Sequence, residues 1–212
     1  MPEKGKKYYI LMGDVVSSKS YDSRKLSREL KTLVTEVNAD LSHQTLSPYT
    51  ITLGDEFQGV TKNLNTGIQT LFQFEETCLH RNYEFKLHYV LHYGEIETDI
   101  NPKIAYEMMG SGLTMARELL SGKKRDRLRF NFELANITES EQLNRIFQVL
   151  DGITASWKVK DYPLIWDMIQ NENNSKVGDL HQKNRDQIWK RRKTLMINEY
   201  NLLKSFILTY VK

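Results

Sequence analysis

Cysteine is nearly absent from this chain: of 212 residues, only Cys78 carries a thiol. An intramolecular disulfide is therefore excluded, as is usual in a reducing compartment. Cys78 lies within an apolar helical pattern and reads as a buried structural residue rather than a nucleophile. Long hydrophobic runs are also lacking. No segment approaches the roughly 18 apolar residues of a membrane span. The charged start, Met1 to Lys7, is not followed by the apolar stretch and cleavage site of a signal peptide. A cytoplasmic protein with no membrane partner is the expectation. Net charge is small, +3 at pH 7, so nucleic-acid binding has to be judged from where the charges fall. What is present is 40% apolar residues, enough for a real core, in a length that suits one ordinary domain plus a small second one.

The order of elements follows from periodicity. Residues 8 to 12 form a short β-rich run stopping at Gly13-Asp14. Leu26, Leu30, Leu33, Val34, Val37 and Leu41 fall at helical spacing behind Asp22, a good N-cap. Tyr49 to Leu53 and Phe57 to Val60 read as strands around Gly54-Asp55, where glycine suits a tight type II′ hairpin. A helix through Leu64 to Leu79 and an alternating strand from Phe85 to Tyr93 follow. Strand, helix, strand, strand, helix, strand is the ferredoxin-like order. The expected fold class is therefore α+β, an antiparallel sheet with helices on one face. A helix from Tyr106 to Leu120, a further antiparallel strand from Leu128 to Leu134 and a helix from Thr138 to Leu150 complete the first domain, residues 1–150. The bases in Lys123 to Arg129 read as a solvated turn and strand edge.

This order puts the first and third strands side by side and antiparallel, so Asp14 meets Asp55 and Glu56 at one edge. Magnesium takes oxygen ligands and shares one or two carboxylates with substrate phosphates. Asp14 with Asp55 or Glu56 supplies that number, making these three the candidate metal ligands and a nucleoside triphosphate the expected ligand. Two such ions would also support in-line nucleotidyl transfer. The loop with Ser17, Ser18 and Lys19, together with Gly54 at the hairpin, supplies the candidate nucleotide-binding positions through backbone N–H groups and one cation. The same Gly-Asp pairs are also ordinary turn formers, which leaves a structural reading open. His88 and His92 share a strand face and read as surface residues.

From residue 151 to 212 the pattern is helical. Two short helices and a turn around Lys183-Asn184 give the outline of a helix-turn-helix. Arg185, Lys190, Arg191 and Arg192 lie on its second helix as candidate DNA-phosphate contacts, with a solvated basic helix as the alternative. Leu202, Leu203, Phe206, Ile207 and Tyr210 make a terminal amphipathic helix, suited either to closing this unit or to pairing two copies as a homodimer. Trp157, Trp166 and Trp189 read as core.

Ile10 to Lys19, Thr52-Leu-Gly-Asp-Glu-Phe-Gln-Gly59 and Gly110 to Glu118 together resemble the SatD family, bacterial proteins that join a domain similar to nucleotidyl-cyclase and GGDEF palms to a C-terminal helix-turn-helix. The resemblance implies that Asp14 and Asp55 correspond to the metal aspartates of such palms, with Glu56 beside them. Arg117 falls where those enzymes often keep an arginine for transition-state charge, so Asp14, Asp55 and Arg117 are the catalytic candidates. Thr114 stands at the asparagine position, and Leu53 replaces the first glycine of Gly-Gly-Asp-Glu-Phe. Both departures favour a regulator that binds magnesium-nucleotide over an active nucleotidyl cyclase or nucleotidyltransferase. A catalytically empty interaction domain is the third reading.

Overall fold

A computed structural model describes residues 5–122 and 128–212. The basic stretch read at 123–129 thus lies, up to Arg127, outside the described residues. Within them the chain runs β1 (Lys6–Val15), α1 (Ser23–Asp40), β2 (Thr45–Leu53), β3 (Glu56–Thr61), α2 (Leu64–His80), β4 (Leu87–Ile96), α3 (Ser111–Ser121), β5 (Phe130–Glu133) and α4 (Ile137–Ala155), followed by α5 (Tyr162–Gln170), α6 (Asn174–His181), α7 (Arg185–Thr194) and α8 (Ile197–Tyr210). The described strands form one sheet in the order β2-β3-β1-β4-β5. Its first four strands have the expected ferredoxin-like arrangement, and β1 pairs antiparallel with both β3 and β4.

Alternation along the strands divides the sheet into two faces. Leu11 and Val15 of β1, Phe57 of β3 and Leu87, Tyr89 and Leu91 of β4 face α1 and α2 in the larger core. Ile10 and Met12 of β1, Val60 of β3 and Val90 and Ile96 of β4 face Ala116 and Leu120 of α3 in a smaller one. Helices therefore cover both faces, where the sequence pattern suggests one. The reason is visible in β4, whose Leu87–Leu91 stretch is buried on both faces apart from the half-buried His88. α3 approaches β4 through Gly112 and Gly94, each occupying the space where the other's Cβ would stand. It is also shorter than the expected helix from Tyr106. Residues before Ser111 are irregular, and Glu107 has a left-handed φ of 62°.

β5 pairs parallel to β4, not antiparallel. Because α3 lies between them in the chain, β4-α3-β5 is a crossover unit, and such a connection returns the chain in the same direction. Arg129, just before β5, is not at a solvated edge. Its side chain is 8% exposed, with Nη1 donating to Glu75 Oε2 at 2.8 Å and Nε to Asp151 Oδ1 at 2.6 Å. Burial alone would lower its pKa, but the two carboxylates outweigh that and raise it, so the guanidinium stays charged inside.

α4 continues through residue 151 to Ala155; after it α5 packs on α2, α8 packs on α2 and α4, and α6 and α7 complete the unit against α5 and α8. Ile165, Met168, Tyr200 and Ile207 belong to the same apolar cluster as Leu11 and Phe57. Buried Glu76 of α2 accepts from Tyr200 Oη at 3.2 Å and pairs with Lys204 Nζ. Trp157 is core and donates from Nε1 to Leu195 O at 2.8 Å. Trp166 is half-buried and stacks on His80, whereas Trp189 is 48% exposed beneath Lys193 Nζ and so departs from the core reading.

Candidate functional site

The acidic residues meet through strand register. Asp14 is inside β1, not in a turn after it, and stands opposite Glu56 of β3 and His88 of β4. Gly13 is likewise a strand residue. It is glycine because the Phe57 ring of β3 occupies the place of a side chain there. The two-residue connection Gly54-Asp55 is the expected tight hairpin, and Gly54 has φ 56°, the left-handed value demanded of its first position. Val15 N donates to Asp55 O at 3.1 Å, which fastens the hairpin to the end of β1. Val16 N donates to Lys86 O at 2.9 Å, fastening the following loop to the start of β4.

That loop turns sharply. Ser17 has φ 54°, a left-handed conformation costing a non-glycine residue about 1–2 kcal/mol, and Ser18–Ser20 form a short 3-10 turn. Ser20 donates to Ser17 O from both its backbone N and its Oγ, at 2.8 and 2.7 Å. The N-terminus of α1 is capped by Asp22, which accepts from Lys25 N at 2.8 Å. The anion-holding capacity here therefore belongs to the loop and exposed Lys19, not to the helix end. Asp14, Ser17, Ser18, Lys19, Asp55 and His88 line one cleft of about 580 Å³. Glu56 shares the sheet face of Asp14, while Gly54 sits at the hairpin with open space around it.

His88 is the residue that alternation alone assigns to the surface. Its Nδ1 lies 3.2 Å from Asp14 Oδ1, within ion-pair reach but off the line of a hydrogen bond, and both side chains are 20% exposed. Only the register of β4 on β1 reveals it. Among the described residues, no three His, Cys, Asp or Glu side chains converge closely enough to hold a metal ion alone. Magnesium does not need such a cluster, since it keeps waters and shares one or two carboxylates with phosphate oxygens. Asp14 and Asp55 on one cleft wall, with Glu56 beside them, fit that mode.

Arg117 is not brought into this cleft. It is exposed on α3 and lines a second cleft of about 580 Å³ with Met12, Gln58, Tyr106 and Thr114. Its Nη2 lies 3.5 Å from Oε1 of buried Gln58, whose Nε2 donates to Ala105 O. Arg117 shares the sheet face of Asp14 but opens two residues further along β1 and β3. Gln58 lies inside the Thr52–Gly59 stretch that carries the family resemblance, but nothing in its spacing marks it as the neighbour of Arg117. Leu53 is 57% exposed at the hairpin edge.

In the helical unit, α6 and α7 are joined by Gln182 to Asn184, with Gln182 in the left-handed region at φ 53°. Gly178 lies within α6, not in the turn, and abuts Lys183 O where a Cβ would collide. α7 starts with a full capping box between Asn184 and Gln187. Arg185 and Lys190 are exposed, while Arg191 pairs with Asp161 at 2.8 Å. Arg192 is not a surface base. It is 5% exposed and donates to Asn174 Oδ1, Met168 O and Asn171 O at 3.0, 2.7 and 2.7 Å. Buried and anchored through all three nitrogens, it is not presented to a DNA phosphate.

Comparison with known proteins gives a family match and distant structural likenesses. The family model described as "SatD family" matches residues 8–198. No curated protein matches the chain. Among solved structures, a bacterial light-regulated adenylyl cyclase is similar at 13% identity and a TM-score of 0.44, covering 59% of this chain and 74% of that one. The monomeric guanylyl cyclase domain of the RhoGC fusion protein from the aquatic fungus Blastocladiella emersonii is similar at 15% identity and a TM-score of 0.40, covering 66% and 87%. Scores this low describe a loose likeness of the sheet and its helices, and the chemistry has to come from the residues of this chain.

Proposed function

This chain belongs to the SatD family, and from that premise we propose that its N-terminal domain, residues 1–150, binds a magnesium-nucleoside triphosphate at the acidic cleft while its helical unit, residues 151–212, binds DNA. The observation that carries the reading is the convergence of Asp14, Asp55, Lys19 and the Ser17–Ser18 loop on one cleft, with the hairpin fastened to β1 by Val15 N to Asp55 O. Asp14 and Asp55, with Glu56 as neighbour, would hold the ion. Magnesium there would supply charge neutralisation to the triphosphate, whose tail Lys19 and the loop amides would orient.

The reading stops at binding, because Arg117 opens on a different cleft from the carboxylates. In the helical unit, exposed Arg185 and Lys190 on α7 contact phosphates, and Arg192 holds α7 in place. The physical link between the two regions is α2, which packs on α5 and binds Tyr200 and Lys204 of α8 through Glu76. Nucleotide changes DNA affinity only to the extent that it binds two arrangements of this link differently.

Titration calorimetry with each nucleoside triphosphate in magnesium tests the site. Wild type binds at least one of them, and Asp14→Asn and Asp55→Asn each weaken it by at least about tenfold, the loss of roughly one charge-assisted contact. Unchanged affinity in both variants rejects the site. Pyrophosphate release in the same samples would replace the binding reading with nucleotidyl transfer.

A further inference from the structure

α7 holds two apolar side chains with opposite fates. Ile188 is fully buried, whereas Trp189 is 48% exposed. When a partner covers an indole, that ring dominates the energetics of the contact. Lys193 Nζ lies 4.2 Å from the centre of the Trp189 ring. Arg185 stands four residues before Trp189 and Lys193 four after it, so the three form one stripe of cation, ring and cation, with exposed Lys190 beside it.

The charges on this face select what covers the ring. Arg185, Lys190 and Lys193 are exposed against a single exposed carboxylate of α7, Asp186 in its first turn. Arg191 and Arg192 are engaged within the protein, with Asp161 and with the carbonyls of Met168 and Asn171. The three outward cations suit a polyanion, but phosphates satisfy only the cations and carry no sequence information. The second helix of a helix-turn-helix lies in the major groove with its first residues at the base edges, and Trp189 is the fifth residue of α7. Base edges in that groove present donors, acceptors and one apolar group, the C5-methyl of thymine. Stacking on unpaired bases needs the faces of the ring, and Lys193 already covers one of them.

We propose that Trp189 packs against thymine methyl groups in the major groove of duplex DNA and is a residue through which α7 distinguishes sequences. The inference rests on the DNA reading of the helical unit and adds a base contact to it. Arg185 and Lys190 hold neighbouring phosphates, and Lys193 fixes the ring on the helix surface.

Fluorescence anisotropy tests it, with the full chain titrated into end-labelled duplexes of alternating dA-dT and of alternating dA-dU at about 0.15 M salt. The two duplexes differ in composition only by the thymine methyl. Wild type is expected to bind the thymine duplex about fourfold more tightly, the worth of burying one methyl group. Trp189→Ala, at an exposed position, keeps its native circular dichroism and binds both duplexes equally. Lys190→Gln weakens both alike and keeps the preference, as loss of a phosphate contact should. In wild type the thymine duplex also lowers acrylamide quenching of tryptophan emission, a change that Trp189→Phe lacks. Equal affinity of wild type for the two duplexes, a preference that Trp189→Ala retains, or quenching that DNA leaves unchanged overturns the inference while the DNA reading stands. Binding to neither duplex overturns both.

Discussion

Glu75 and Asp151 close around Arg129, whereas Asp14 and Asp55 open onto a cleft. In the first region a guanidinium at 8% exposure is met by carboxylates from α2 and α4, and Tyr89 Oη donates to Glu75 at 2.9 Å. The partners come from distant stretches of the chain and satisfy one another. In the second, carboxylates from β1 and the hairpin stand on a wall that also carries Lys19 and His88 and borders a volume large enough for a ligand. Both regions gather opposite charges. The first uses them to tie α2, β5 and α4 together, and the second presents them to whatever enters. Enclosure separates the two, the first cluster being shut inside and the second bordering a cleft, and each side of the comparison can be broken separately.

The largest expected effect is at the closed cluster. Arg129→Met leaves two partly buried carboxylates without their cation, and losing one partner of a buried ion pair costs about 3–5 kcal/mol. Urea unfolding measures it, and a loss below about 1 kcal/mol would place Arg129 among ordinary surface pairs. Asp14→Asn and Asp55→Asn provide the contrast, with stability within about 1 kcal/mol of wild type while nucleotide binding weakens by at least about tenfold. A loss of stability in Asp14→Asn equal to that of Arg129→Met would make the cleft carboxylates part of the scaffold and erase the distinction.

A smaller version of the contrast lies within α7. Arg192→Leu strips the anchor from Met168 O and Asn171 O and melts α7, read as lost helical circular dichroism. Lys190→Gln keeps the fold, weakens DNA binding equally across sequences and reduces the salt slope by about 1. Equal DNA affinities for Lys190→Gln and wild type would remove the exposed bases from the account. The smallest effect is chemical. Burial raises the pKa of Cys78 well above its ordinary value, so a thiol reagent leaves the native chain unmodified at neutral pH and labels one thiol in urea. Rapid labelling of the native protein would show that the α2 packing is open.

The two regions are not equally legible in the sequence. Strand order follows from hydrophobic periodicity, and strand order in turn brings Asp14 to Asp55 and Glu56, so the open site is readable from local pattern plus topology. His88 needs one further step, the register of β4 on β1, and alternation alone places it on a surface. The closed cluster is not readable. Arg129 alternates with Phe130 as a surface base would, and its burial depends on Glu75 and Asp151, each reached only through the fold. The parallel direction of β5 is hidden for a related reason, because nothing in the apolar positions of α3 says which face of the sheet it covers. Arg192 does carry a signal. It lies four residues after Ile188, and on a helix that shares the buried face, so one base of the Lys190–Lys193 run has to point inward.

The most direct measurement is a thermal-shift screen of the purified chain against ATP, GTP, CTP and UTP, each with and without magnesium, with Asp14→Asn alongside. At a ligand concentration of about 100 times Kd, binding contributes about 2.7 kcal/mol. For a chain of this length that corresponds to a rise of about 5–10 °C. The account predicts such a rise with at least one nucleotide, dependent on magnesium and reduced to about half or less in Asp14→Asn, as a loss of about tenfold or more in affinity requires. No shift with any of the four, or a shift that Asp14→Asn retains in full, would contradict it.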